Sequence, residues 1–254
     1  IPWDAYDVDV VIDATGRFLN RDDLSAHLDS GAKRVFISRN AKDTIDRYVI
    51  PGINESSIKS SDQIISTTSS TTQVLALMVK MLDESFGLNR AMMTTVHAYT
   101  ADQPLADAAG VDLRRSRSAV ENIIPNTTLA PSIVENLMPQ FSGRLDGIAF
   151  NVPVPNGSCV DLTTELKNTP SVDEANDAIK NFSKGSLKGI VGYTEDPIVS
   201  SDVIGREETM VFDQKATMMT NDELLKTLCW YDNGWGFASR ILDVVDAYAT
   251  LEDK

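Results

Sequence analysis

The chain has 254 residues, enough for two unequal lobes, and its 42% hydrophobic and 24% charged content is that of an ordinary soluble globular protein with ample apolar material for a core. Its net charge of −14 disfavours nucleic acid and anionic membranes as partners, because both would be repelled. No apolar run reaches the ~20 residues that span a bilayer, and no signal peptide opens the chain, so membrane insertion is not expected.

The first residues, Ile1-Pro2-Trp3, lack a methionine, which marks the chain as processed or as a piece of something longer. Residues 7–14 hold a short apolar run that Thr15-Gly16 breaks, the pattern of a buried strand entering a turn. A helix over 22–29 and a strand over 34–38 follow, and strand, helix, strand with short connections is a parallel βαβ unit. Residues 48–50 and 63–66 add two more strands. Over 71–86, Val74, Leu75, Met78, Val79, Leu82 and Phe86 recur at three- and four-residue spacing, which predicts a long amphipathic helix with a hydroxyl-rich start.

The second half reads differently. Strands are expected over 91–96, 147–152, 159–166 and 228–231, and helices around 128–138, 172–182 and 238–248. This alternation suggests a mixed, largely antiparallel sheet with helices on one face. Residues 99–121 show no clean period and contain Arg114, Arg115 and Arg117; a structureless segment that long inside a compact domain is usually functional. Cys159 and Cys229 are too few for a disulfide framework and point to a reducing compartment, cytoplasmic or organellar. Each lies in or beside a strand pattern and reads as a small buried hydrophobe.

Three segments carry chemistry: Ser66-Thr67-Thr68-Ser69-Ser70-Thr71-Thr72-Gln73, Thr94-Thr95-Val96-His97-Ala98-Tyr99-Thr100-Ala101-Asp102-Gln103, and Trp230-Tyr231-Asp232-Asn233-Gly234-Trp235-Gly236. With Ala14-Thr15-Gly16-Arg17-Phe18, Ala41-Lys42-Asp43, Asp112-Leu113-Arg114-Arg115, Asn122-Ile123-Ile124-Pro125 and Val152-Pro153-Val154-Pro155-Asn156, in this order and spacing, the chain resembles phosphorylating glyceraldehyde-3-phosphate dehydrogenase along essentially its whole length.

The resemblance implies an α/β fold: a partial Rossmann-like parallel sheet over residues 1–69, the trailing part of an NAD-binding-type domain, and a mixed-sheet catalytic-type domain over 70–232. Residues 233–254 would form a helix packing on the first lobe. It implies NAD or NADP as coenzyme and assembly with copies of itself or with related subunits, since the family's segment matching 99–121 lies against neighbouring subunits. It places Ser70 at the nucleophile and His97 at the base. Ser69, Thr71, Thr128 and Arg115 match one substrate phosphate site, and Thr100 and Asp102 part of the other. Thr15 and Gly16 match adenine-side contacts, and Asn233 a nicotinamide contact. No metal is expected.

The departures fall on the chemistry. The family's nucleophile is a cysteine, whose thiol near pKa ~8.5 ionises beside an imidazole, whereas a serine hydroxyl stays protonated. Asn151 stands where an arginine would clamp phosphate, and Leu129-Ala130-Pro131 replaces a glycine-led approach to the anion. No Gly-x-Gly-x-x-Gly turn occurs in these residues, so coenzyme binding by this chain alone is not expected. Ser70 is then either a nucleophile or a capping hydroxyl at a helix start, His97 either a base or a packing residue, and the surviving hydroxyls either anion ligands or caps. Three readings of function remain: a catalytically degenerate relative acting as a structural or interaction subunit, an NAD-dependent aldehyde-oxidising enzyme of sugar-phosphate metabolism whose coenzyme half lies outside these residues, and a Ser–His hydrolase.

Overall fold

The first apolar run does form a strand, β1 (Val10–Asp13), and it leads through the Thr15-Gly16 turn to helix α1 (Arg21–Asp29) and strand β2 (Arg34–Ile37). Gly16 sits at φ +68°, a conformation that a residue with a Cβ rarely adopts, which is why the chain can turn there. The computed structural model describes residues 1–221 and 223–252, and β3 (Arg47–Tyr48) and β4 (Ile64–Ser66) complete a four-stranded, wholly parallel sheet in the order β1-β2-β4-β3. Leu24 of α1 packs with Val35, Ile37, Ile45 and Ile64, all buried, as one core cluster.

Helix α2 (Ser70–Phe86) opens a second sheet system. The spacing predicted an amphipathic helix, but every residue from Thr71 to Val79 is buried. The cause is its place at the centre of a layer, against strands β5, β8 and β12 on one side and helices α3 and α4 beside it. Those elements are β5 (Leu88–Ala98), β6 (Ile124–Asn126), α3 (Ala130–Leu137), β7 (Leu145–Val152), β8 (Ser158–Leu166), α4 (Val172–Lys184), β9 (Val191–Thr194), β10 (Met210–Asp213), β11 (Met218–Thr220) and β12 (Leu224–Tyr231). The strand order is β6-β7-β5-β8-β12-β10-β9, with β11 beside β12. Among the described residues only β5–β7 and β9–β10 of this sheet pair in parallel, so the sheet is mixed and largely antiparallel, as the sequence pattern implied. Short β6, β9, β10 and β11 were not legible in the sequence.

The chain divides into two compact units, Ser70–Phe237 and Ile1–Ser69 with Ala238–Lys254. Helix α5 (Trp235–Glu252) is capped in the larger unit, where Asp232 Oδ1 accepts from the N–H groups of Gly234 and Trp235 at 2.8 and 2.7 Å. Its far end belongs to the smaller unit. There Tyr248 donates to buried Asp62 at 2.7 Å, Arg47 forks onto the same carboxylate at 2.9 and 3.1 Å, and the Arg34 guanidinium lies 5.2 Å from the Tyr248 ring centre. Burial pushes Asp62 up, but the Arg47 fork, the Tyr248 hydroxyl and the Lys59 N–H together hold its carboxyl below the ordinary range. Among the described residues, no helix is long and apolar enough to cross a membrane.

Candidate functional site

His97 lies at the C-terminal end of β5, level with Asn151 on β7, and Val96 is level with Cys159 on β8. Its Nδ1 is 2.6 Å from the Ala98 carbonyl, and a carbonyl can only accept, so Nδ1 carries the proton. In the neutral ring the Nε2 lone pair is therefore available, the tautomer a general base needs. Burial pushes His97 below its ordinary range, with the Ala98 carbonyl and the Asp102 charge opposing. The sequence offered no aspartate to orient this ring; a backbone carbonyl does so.

The start of α2 reaches the same place through one side chain. Tyr231, fully buried on β12, has its ring edge-on to His97 with centroids 6.0 Å apart, and its hydroxyl lies 2.8 Å from Thr71 Oγ1 and 3.1 Å from Thr95 Oγ1. Thr95 spends its proton on the Cys159 carbonyl at 3.0 Å, so Tyr231 donates to Thr95 and Thr71 donates to Tyr231. Burial pushes the Tyr231 hydroxyl up to about 12, which keeps it a neutral donor. Nearby, Ser158 Oγ accepts from Ala98 N at 3.0 Å and donates to Asn233 Oδ1 at 3.1 Å. Tyr231, Thr95 and Ser158 were not singled out from sequence. The signal was available in part, because a buried tyrosine hydroxyl usually has a partner.

Ser70 is the first residue of α2 and is half-buried. Thr71 follows with its hydroxyl committed to Tyr231. Ser69 closes the smaller unit, one residue after Thr68, which holds φ +68° although it is β-branched. Such a conformation costs on the order of 1–3 kcal/mol and recurs at functional sites. Ser66 holds it in place, accepting from Thr68 N at 2.9 Å and donating to the Arg39 carbonyl at 2.7 Å.

The phosphate-matched residues divide. Thr100 and Arg115 both donate to Asp102, so this arginine is already engaged by a carboxylate. Thr128 Oγ1 accepts from Ala130 N at 3.2 Å at the start of α3, where Leu129 is exposed. The groove of about 430 Å³ that Thr128 lines includes Arg114. Asn151 is buried, donating to the Ala98 carbonyl at 3.3 Å and accepting from Asn126 at 3.4 Å. The Asn151 amide thus shares the carbonyl that orients His97.

Neither cysteine supplies a thiolate. Burial pushes Cys159 up to about 11, and Cys229 is raised by complete burial, its Sγ 3.1 Å from Met78 Sδ. Of the coenzyme-matched residues in the smaller unit, Thr15 turns its N–H and hydroxyl onto Asp13 at 2.9 and 2.7 Å, and a side chain on Gly16 would meet the Arg39 guanidinium. No Gly-x-Gly-x-x-Gly turn, which would hold a dinucleotide pyrophosphate, occurs in these residues.

Residues 69–233 match the family model described as glyceraldehyde 3-phosphate dehydrogenase, C-terminal domain. The chain is 44% identical over 245 residues to glyceraldehyde-3-phosphate dehydrogenase 2 of Streptomyces avermitilis, covering 96% of this chain and 73% of that protein. It is 46% identical over 246 residues to the glyceraldehyde-3-phosphate dehydrogenase of Streptomyces coelicolor, with coverage of 96% and 73%. To that of Mycobacterium bovis it is 45% identical over 245 residues, with coverage of 96% and 72%.

Proposed function

The chain belongs to the glyceraldehyde-3-phosphate dehydrogenase family, and from that premise we propose that it is a catalytically degenerate, oxidoreductase-type scaffold that serves as a structural or interaction subunit. The observation that carries this reading is the hydroxyl of Ser70 at the nucleophile position, with both thiols of the chain buried and held protonated. Asn151 and Leu129 remove two further elements, an anion clamp and a close backbone approach. Each loss subtracts a different part of transition-state stabilisation, so they do not substitute for one another. On this reading residues 1–69 are the trailing part of an NAD-binding-type domain and 70–232 the catalytic-type domain.

The interaction role rests on the segment 99–123. It contains no helix or strand, yet it is organised: Arg115 pairs with Asp102, Arg117 with Asp107 at 3.1 Å, and Asp112 Oδ1 accepts from the N–H groups of Arg114 and Arg115 at 3.0 and 3.1 Å. This order presents Val111 and Leu113 at 104% and 81% exposure, which suits a surface meant to be covered by a second copy or a related subunit. Titration of NAD into the purified protein tests the reading. No saturable signal below about 1 mM agrees with it, and micromolar binding favours the NAD-dependent oxidoreductase instead.

A second reading is favoured by the His97 tautomer. A neutral imidazole with Nε2 available, linked through Tyr231 to Thr71, the residue after Ser70, supports a Ser–His acyl-transfer reading. Covalent labelling of Ser70 by a fluorophosphonate, lost on His97→Ala, would establish it; an unlabelled protein leaves the degenerate scaffold.

A further inference from the structure

Strand β9 ends the larger sheet: among the described residues it pairs with β10 and with no strand on its other side. Ile190 accepts from Thr209 N at 2.9 Å, and in a parallel pair alternate residues bond to the same neighbour. Gly192 and Thr194 therefore turn their backbone toward β10, and Val191 and Tyr193 turn theirs to the open side. Leu187 takes the Val191 N–H at 2.9 Å and Val191 is buried, which leaves half-buried Tyr193 as the residue whose backbone faces outward. The edge is held rigid: the Tyr193 ring stacks on Phe212 at 5.7 Å, and its hydroxyl donates to Gln214 at 2.6 Å.

The surroundings of this edge are basic in an acidic chain. A cleft of about 520 Å³ between the end of α4 and β9 is lined by Lys180, Lys184, Lys188 and Arg206. Lys180 pairs with Glu195, and Arg206 with Glu208 at 2.8 Å, so Lys184 and Lys188, both exposed, give the cleft its positive excess against a net charge of −14. Lysines beside a sheet edge discourage indiscriminate strand pairing. The same charges select for a strand that brings carboxylates.

We propose that the open edge of β9 accepts an acidic, extended segment of a partner protein as an added strand, with backbone pairing at Tyr193 and charge pairing at Lys184 and Lys188. Strand addition of this kind takes affinity from main-chain hydrogen bonds and specificity from alternate side chains.

The test is fluorescence anisotropy with a fluorescein-labelled Glu-Val-Glu-Val-Glu-Val peptide. Saturable binding below about 1 mM is expected, weakened at least tenfold by Lys184→Glu with Lys188→Glu in a variant whose circular dichroism is unchanged. N-methylation of alternate peptide nitrogens should abolish binding at equal charge, and a Lys-Val peptide should not bind. The proposal is overturned by no saturable binding at 1 mM, by equal binding of the N-methylated or Lys-Val peptide, or by a double variant that binds as well as the wild type.

Discussion

Replacing Ser70 with cysteine should create a reactive thiol, and the structure sets how reactive. A free cysteine near pKa 8.5 is about 3% thiolate at pH 7. Position 70 is the first residue of a 17-residue helix, whose N-terminal field is worth about 1 kcal/mol to an anion, or roughly 0.7 pKa units. His97, with Nε2 available and linked to the same helix start through Tyr231 and Thr71, adds a proton acceptor. The inflection for alkylation should therefore fall near pH ~7, with about half the thiol ionised at neutrality. A lower pKa also weakens the nucleophile, by roughly fivefold over ~1.5 units, so the net gain in iodoacetamide rate at pH 7 is only about threefold. The position of the inflection is thus the better readout. Cys159 and Cys229 give little background, since both are buried and their pKa values raised. A variant adding His97→Ala should move the inflection back toward pH ~8. Alkylation that titrates like a free thiol, indifferent to His97, would show that the imidazole does not face position 70 and refute the reasoning.

In the smaller unit, Asp62→Ala strips a buried carboxylate from Arg47, Tyr248 and the Lys59 N–H and should cost about 3 kcal/mol in urea denaturation. Tyr248→Phe should cost about 1 kcal/mol, and equal stability for all three proteins would contradict the network. His97, whose pKa lies below the ordinary 6.5, is neutral in the fold while the unfolded chain takes up the proton more readily. Its contribution to stability is therefore present above pH ~6.5 and lost as pH falls below it, so the wild type should lose ground to His97→Asn between pH 7.5 and 5. A difference that does not change with pH would argue against a depressed value. For the segment 99–123, Arg114, Arg115 and Arg117 replaced together by serine should lower the assembled mass in light scattering. Val111→Ser with Leu113→Ser should do the same with the internal ion pairs intact. Unchanged masses, or a wild-type monomer at micromolar concentration, would count against an interaction surface.

Long periodic segments were legible in the sequence, and short ones were not. The α2 pattern and the strand bearing His97 declared themselves because side chains repeat at helical or alternating spacing over many residues. β10 is buried at all four positions and so shows no alternation, β6 contains a proline, and β11 has only three residues. In the site, the residue types were visible but their partnerships were not. Tyr231 meets Thr95 across 136 positions of sequence, through a register that sets Trp230 beside Cys159 on β8 and Val96 beside the same Cys159 on β5. Likewise, the resemblance put Arg115 with Thr128 at one phosphate site, and the sequence did not show how the neighbouring arginines are engaged. The Asp112 carboxylate accepts from both backbone N–H groups, and Arg115 goes to Asp102 while Arg114 lines the groove with Thr128.

Catalytic silence is the central claim, and the initial rate of phosphate-dependent NADH formation from glyceraldehyde 3-phosphate, measured on the protein purified at its native length, tests it most directly. The account predicts no rate above buffer for the wild type, and none for Ser70→Cys alone, because Asn151 and Leu129 still leave the anion unheld. Turnover by the wild type within about a hundredfold of ordinary enzyme rates, ~1–1000 s⁻¹, would contradict it.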